Sequence, residues 1–322
     1  MVDQPDRAPG NRAPGSHESG GHASAVNRPV RLTTPAADSA RRRPSRLVAA
    51  VAVLVVGMAA TVTGMISVAE GPTVAAGPAA LGGAVDPART AVVAAVPVTD
   101  AELAALPEAT TFGALPDAPV DQDPAGMPSG TVLHPSATIP VYLAPGERPL
   151  AALPATQLGS DTWLPVIDER PGWARVLLPT RPGQSTGWVS TEDPRVTTAR
   201  TPFRIVVDRA TFTLTLHQDD REVGRWSVGI GKPDAITPAG RTFLLASIRE
   251  TRPTFSDIVL PLGTHSRTHT TFGGGPGTVG IHTWPTDDVY GQASSDGCIR
   301  VPRDALDILS TRVPIGTPVL IG

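Results

Sequence analysis

The chain has 322 residues with 27 Lys and Arg against 30 Asp and Glu, and a net charge of −3 gives no reason to expect nucleic acid as a partner. With 35 prolines and only 4% aromatic residues, much of this length cannot belong to one dense core, so two folded modules plus non-globular segments are expected. A single cysteine, Cys298, excludes an intramolecular disulfide and makes a poor metal site.

Residues 1–46 are rich in Pro, Gly, Ser, Asn and Arg without apolar periodicity and read as a disordered cytoplasmic tail. Leu47 to Ala69 is an uncharged, mostly apolar run of 23 residues. At about 1.5 Å rise per residue it is long enough to span a hydrocarbon layer of about 30 Å. Arg41, Arg42, Arg43 and Arg46 precede it and Glu70 follows, so the expectation is a single-pass transmembrane helix at 47–69 in the cell membrane, with everything after it extracytoplasmic. The rival is a cleaved signal peptide, whose apolar region usually runs only about 7–15 residues. Residues 70–132 are rich in Ala, Pro, Val and Thr and read as a linker, a spacer on the order of 45 Å long as flexible coil. Within it, Thr99-Asp100-Ala101-Glu102 has the pattern of a capping box for one short helix through Leu106.

From 133 to 197 short β-like runs alternate with turn signals: Ile139–Tyr142, Thr162–Ile167, Trp173–Leu178 and Gly187–Val189. Gly172-Trp173-Ala174-Arg175-Val176, the Leu178–Gly183 turn and the closing Gly187-Trp188-Val189 resemble a bacterial SH3-like domain, which implies a small barrel. Trp163, Trp173 and Trp188 either line a ligand groove in it or belong to its core.

The remainder, 202–322, is mostly β. Leu214 and Leu216 alternate with Thr213, Thr215 and His217; Trp226, Val228 and Ile230 alternate again; Thr242–Ile248, Gly277–His282 and Gly316–Ile321 read as further strands. Pro302–Leu309 reads as one short helix with proline at its first position. Acids and Lys/Arg balance here, so no basic stripe argues for nucleic acid.

The chemistry centres on Cys298. It sits in Ser295-Asp296-Gly297-Cys298-Ile299-Arg300, sixteen positions after His282. A nucleophilic thiol needs a base or cation to form thiolate, and His282, ending the run Val279-Gly280-Ile281, is the available partner. Gly297 removes bulk beside the sulfur, so the backbone amides of Gly297 and Cys298 are candidate oxyanion donors. Pro302 would set the nucleophile just before a helix N-terminus, whose partial charge favours thiolate. Asp296 either orients His282 as a third triad member or is a solvated loop acid. Arg300 has the fork geometry for a substrate carboxylate, or pairs with Asp304 or Asp307.

Gly280-Ile281-His282, twelve intervening residues and then Ser295–Arg300 resemble the catalytic motif of the L,D-transpeptidases. Ile236-Thr237-Pro238-Ala239-Gly240-Arg241-Thr242-Phe243 is similar to that family's Thr-Pro-x-Gly segment. The resemblance spans about 203–321 and implies a β-rich catalytic fold working on peptidoglycan stem peptides, donor and acceptor alike, without metal, nucleotide or other cofactor. It implies Cys298 as nucleophile and His282 as base. Ser295, Gly280, Trp284, Tyr290 and Arg300 are then substrate-side candidates, with the Gly273-Gly274-Gly275 loop shaping the cleft. One departure is Asp296, where the family commonly has a second histidine.

The expected fold class is therefore mostly β: a small SH3-like barrel, then a β-rich L,D-transpeptidase fold with one short helix, behind a single N-terminal transmembrane helix. The expected activity is 3→3 cross-linking through an acyl-enzyme on Cys298. The alternatives are an L,D-carboxypeptidase that hydrolyses the same acyl-enzyme, and a non-catalytic wall-binding protein. A papain-like protease is disfavoured because its nucleophile normally precedes its histidine in sequence.

Overall fold

The computed structural model describes residues 91–252, 255–272 and 275–322. The tail at 1–46, the apolar run at 47–69, linker residues 70–90 and the pair Gly273-Gly274 lie outside the described residues. No helix among the described residues is long and apolar enough to cross a membrane.

The first helix, α1 (Asp100–Ala105), forms where the capping box predicts it: Thr99 Oγ1 accepts from the Glu102 amide at 3.2 Å, and Glu102 Oε2 accepts from the Thr99 amide at 2.8 Å. Pro107 limits its extension, and it ends at Leu106. The described part of the expected linker is not a spacer. Ala109, Leu115 and Ala118 are buried in a core with Leu133, Val141 and Val176. Their backbone is strapped to the following strands, Ala109 N–H to Ala152 O at 2.8 Å and Leu115 N–H to Arg181 O at 2.7 Å. The physical reason is that sparse apolar residues between prolines suit an extended chain, which gains more by pairing with a sheet than by staying solvated.

Nine strands follow: β1 (Thr131–Pro135), β2 (Ile139–Tyr142), β3 (Pro149–Leu153), β4 (Thr156–Gln157), β5 (Ser160–Asp161), β6 (Leu164–Arg170), β7 (Trp173–Leu177), β8 (Thr186–Ser190) and β9 (Val196–Arg200). Seven of them form one antiparallel sheet in the order β3-β2-β8-β7-β6-β1-β9, while β4 and β5 pair as a hairpin. The hydrogen-bonded ladders run in one series from β3 to β9. Trp173 and Trp188 do not line a free groove. They are buried with Tyr142, and residues 93–98 lie against them: Trp173 Nε1 donates to Val93 O at 2.7 Å and Tyr142 OH to Val96 O at 2.9 Å. Trp163 stacks on His134 instead, with ring centroids 4.8 Å apart.

The second half contains β10 (Phe203–Asp208), β11 (Thr213–Gln218), β12 (Arg221–Ser227), β13 (Ile230–Gly231), β14 (Gly240–Phe243), β15 (Ile248–Arg249), β16 (Ile258–His265), β17 (Thr278–His282), β18 (Ala293–Ser295), β19 (Ile299–Arg300), helix α2 (Arg303–Arg312) and β20 (Pro318–Ile321). A five-stranded sheet runs β12-β11-β10-β20-β14, a four-stranded one runs β15-β16-β17-β19, and β13 pairs with β18. Ile205, Val207, Leu214 and Leu216 point from the first sheet into a core that also takes Leu260, Leu262, Ile281 and Leu309. Full burial of each such side chain stabilises by roughly 1.5–3 kcal/mol.

The two halves share their cores. Phe243 and Leu245 insert among the residues of the upstream sheet, whereas Leu244 between them faces the catalytic-side core. This is the two-residue alternation of extended backbone, used here to bridge two hydrophobic bodies. A buried bidentate ion pair adds to the joint: Arg241 Nε and Nη2 reach Asp121 at 2.6 and 2.7 Å, with side-chain exposures of 7% and 1%.

Candidate active site

Strand β17 ends at His282, and β19 runs parallel beside it with Ile281 opposite Ile299 and His282 opposite Arg300. Cys298 directly precedes β19 and so comes beside the end of β17. His282 and Cys298 both line a cavity of about 380 Å³, together with Gly280, Phe255, Phe112 and Leu158.

A stapled turn presents the thiol. Gly297 has φ +117°, a value favouring glycine, and carries the chain from β18 toward β19. Ser295 Oγ donates to Cys298 O at 2.6 Å and accepts from the Gly297 amide at 3.1 Å. Thr237, from the Thr-Pro-x-Gly segment, holds the turn from below: its buried hydroxyl donates to Gly297 O and accepts from the Gly231 amide, both at 2.9 Å. The Gly297 amide is thus engaged by Ser295 and is not free as an oxyanion donor, which leaves the Cys298 amide of the expected pair. Pro302 sits at the N-cap of α2 rather than at its first helical position, and β19 separates that helix from the thiol.

His282 is held from its own backbone. Its Nδ1 lies 2.7 Å from Thr283 O. A carbonyl oxygen only accepts, so Nδ1 carries the proton and Nε2 of the neutral ring keeps its lone pair. Thr283 is fixed in turn, its amide and hydroxyl lying 3.1 and 3.0 Å from Ser256 Oγ. Phe255 packs on the imidazole at 4.7 Å between centroids. Burial pushes the His282 pKa down to about 4; the Thr283 carbonyl opposes this and the Arg300 charge adds to it. Burial pushes the Cys298 thiol up, opposed by the Gly280 amide and by Arg300, with Asp296 acting in the same direction as burial. The resting pair is therefore a neutral thiol and a neutral imidazole that line one cavity, with Nδ1 protonated and no partner for Nε2 among the described residues.

The family model for the YkuD L,D-transpeptidase catalytic domain matches residues 202–321. YkuD of Bacillus licheniformis, whose name assigns it to the L,D-transpeptidases, is 32% identical over 153 residues, covering 46% of this chain and 85% of that protein. The chain belongs to the L,D-transpeptidase family. YqjB of Bacillus subtilis, named in the same way, is 28% identical over 124 residues, 36% of this chain and 69% of its own. Among solved structures, L,D-transpeptidase 3 from Mycobacterium tuberculosis is 17% identical over 52% of this chain and 76% of its own, with a TM-score of 0.33, a likeness too low to carry an argument.

In this member of the family, Asp296 does not reach His282. Its carboxylate lies 2.8 Å from Lys232 Nζ, and His269 Nε2 is 3.7 Å away. The lysine beside it, first by hydrogen bonding, holds the Asp296 carboxyl below its ordinary value. The imidazole is oriented by the Thr283 carbonyl instead, because the backbone oxygen one residue on is closer than a side chain across the turn. Arg300 pairs with neither Asp304 nor Asp307: its guanidinium lies 3.8 Å over the Trp284 ring, Nη1 donates to Ser294 Oγ at 3.2 Å, and its buried Nε has no partner among the described residues. Tyr290 OH donates to Val301 O at 3.2 Å and ties down the start of α2. Of the substrate-side candidates, Gly280 lines the cavity, whereas Ser295, Trp284, Tyr290 and Arg300 do not.

Sequence reasoning missed Phe255, Ser256 and Thr283, which set the imidazole, and Lys232, which takes Asp296. Lys232 carried a signal, being the only lysine of the chain. Phe112 and Leu158 carried none, since they stand far from the motif in sequence.

Proposed function

We propose that the chain is a membrane-anchored L,D-transpeptidase forming 3→3 cross-links between peptidoglycan stem peptides. The observation that supports this most is the tautomer of His282, Nδ1–H to Thr283 O with no partner for Nε2 among the described residues, in a cavity that Cys298 also lines. Nε2 takes the thiol proton as Sγ attacks the carbonyl of the third, diamino residue of a tetrapeptide stem. The Cys298 amide supports the oxyanion. The C–N bond then breaks, the terminal D-Ala amine leaves with the proton from His282, and a thioester remains on Cys298. An amine of a neighbouring stem attacks the thioester, His282 takes its proton, and the thiol is restored as the new amide forms. Water in place of the amine gives the L,D-carboxypeptidase outcome from the same residues. By the family resemblance, Arg300 is read as a donor to a substrate carboxylate.

The run Leu47–Ala69 with its arginine flank supports an anchor in the cytoplasmic membrane, with the catalytic part at the cell wall. Residues 133–197 are read as an SH3-like module on the motifs given above. Mass analysis of muropeptides after incubation with disaccharide tetrapeptides tests the activity. Cross-linked dimers lacking one D-Ala are expected; tripeptides alone indicate hydrolysis, and unchanged tetrapeptides overturn the proposal.

A further inference from the structure

We propose that the module upstream of the catalytic domain completes the donor cleft, with Phe112 and Leu158 forming an apolar wall that seats the aliphatic stretch of the donor's third residue opposite Cys298. The inference rests on the transpeptidase reading and deepens it by assigning donor selection to residues outside the catalytic domain. Both side chains line the cavity that holds His282 and Cys298, and Val259 and Pro261 of β16 line it too. Glu250 and Arg252 line it as well, so the apolar wall suits the methylene groups of the donor residue and leaves its polar ends to the charged part of the lining.

Phe112 is 67% exposed, yet the backbone on both sides of it is hydrogen-bonded to the rest of the fold. Thr111 is buried, its hydroxyl 2.6 Å from Thr278 Oγ1 and 3.1 Å from His265 Nε2, and its carbonyl 2.8 Å from that same nitrogen. On the other side, Gly113 O accepts from the Arg181 amide at 3.1 Å. A phenyl ring on a rigid frame that leaves most of its surface uncovered adds little to folding, and its free surface suits a ligand.

Leu158 makes the argument independently. It occupies the first central position of the two-residue turn between β4 and β5, followed by Gly159, with φ values of +50° and +75°. Such a turn favours asparagine before glycine, because a branched apolar side chain in the left-handed region is strained. Here the chain accepts that strain, and the leucine both packs against the upstream core and lines the catalytic cavity. Local strain of this kind clusters at functional sites. Arg181, from the same module, donates to the carbonyls of Ser266, His269 and Pro276 at 3.3, 3.2 and 2.7 Å, so the segment after β16 is held to the wall that faces it.

The test uses the full chain and three readings on Phe112→Ala and Leu158→Asn: acylation of Cys298 by a tetrapeptide stem, alkylation of Cys298 by iodoacetamide, and melting temperature. Acylation at limiting donor is expected to fall about tenfold in each, carried by KM. Alkylation by the small reagent stays within about twofold, because the thiol and its base are untouched. Leu158→Asn relieves the turn but loses packing on the upstream core, so its melting temperature is expected to stay near wild type while acylation falls, whereas a merely structural leucine would lose melting temperature and keep acylation. Wild-type acylation rates in both variants would overturn the inference and leave the transpeptidase reading standing. A wild-type thiol that reacts with iodoacetamide but never with the stem peptide would overturn both.

Discussion

At the scale of single residues, the site depends on desolvation. His282, with a pKa near 4, remains a base down to mildly acid pH, so acylation should keep its acid limb near pH 4–5 rather than near the ordinary histidine value of about 6.5. The same shift acts on stability. The folded pKa lies below the unfolded one, so the unfolded chain binds the extra proton first as pH falls. Stability from this group is complete above about pH 6.5, drains through the window down to about 4, and amounts to roughly 3 kcal/mol. Urea titrations at pH 7 and pH 4.5 should show a smaller loss in His282→Gln than in the wild type. Cys298→Ala should abolish acylation outright, and a surviving acyl-enzyme there would end the mechanism. Asp296→Asn should change acylation by less than about threefold, since it breaks a half-exposed pair with Lys232 worth at most about 1 kcal/mol and leaves Thr283 on the imidazole. Removing that negative charge should also lower the pH at which Cys298 alkylates, read from the pH profile of iodoacetamide reaction.

At the scale of elements, the turn before β19 is held by few groups. Thr237→Val removes the hydroxyl that bridges Gly231 and Gly297 and leaves a buried amide and carbonyl unpaired, for a cost of about 1–3 kcal/mol. Gly297→Ala forces a side chain into φ +117° and should displace the thiol more than it unfolds the chain. Both variants should lose more in kcat than in KM, measured by stem-peptide acylation. Strand legibility also differed by element. The alternation of Leu214 and Leu216 and the capping box at Thr99 and Glu102 were readable because each satisfies a local rule. Strand β16 was not, although it is eight residues long and central to its sheet. Pro261 and Gly263 interrupt its pattern, and the ladder to β17 absorbs them with a register shift between Pro261 and His265.

At the scale of the molecule, the upstream sheet and the catalytic part are one folded body. Asp121→Ala leaves Arg241 buried without its carboxylate and should cost about 3–5 kcal/mol, seen as a fall in urea midpoint. A chain cut to 202–322 exposes Phe243 and Leu245, which lose their core partners. It should bind a hydrophobic dye and melt far below the longer protein; cooperative melting at the full-length temperature would show the halves to be independent.

Local chemistry was decided in the sequence alone: a lone thiol, a histidine sixteen residues before it, a glycine beside the sulfur, and the residue types that let β17 and β19 form around them. The resemblance those residues carry was enough to point to the family. Only the tertiary structure decided who touches whom. Asp296 went to Lys232, the imidazole to a backbone carbonyl, the described part of the expected linker into a shared core, and Phe112 and Leu158 to the cleft. Each of these contacts joins groups set by the packing of two sheets, or by the course of the backbone through a turn, and residue type and spacing along the chain do not encode that geometry.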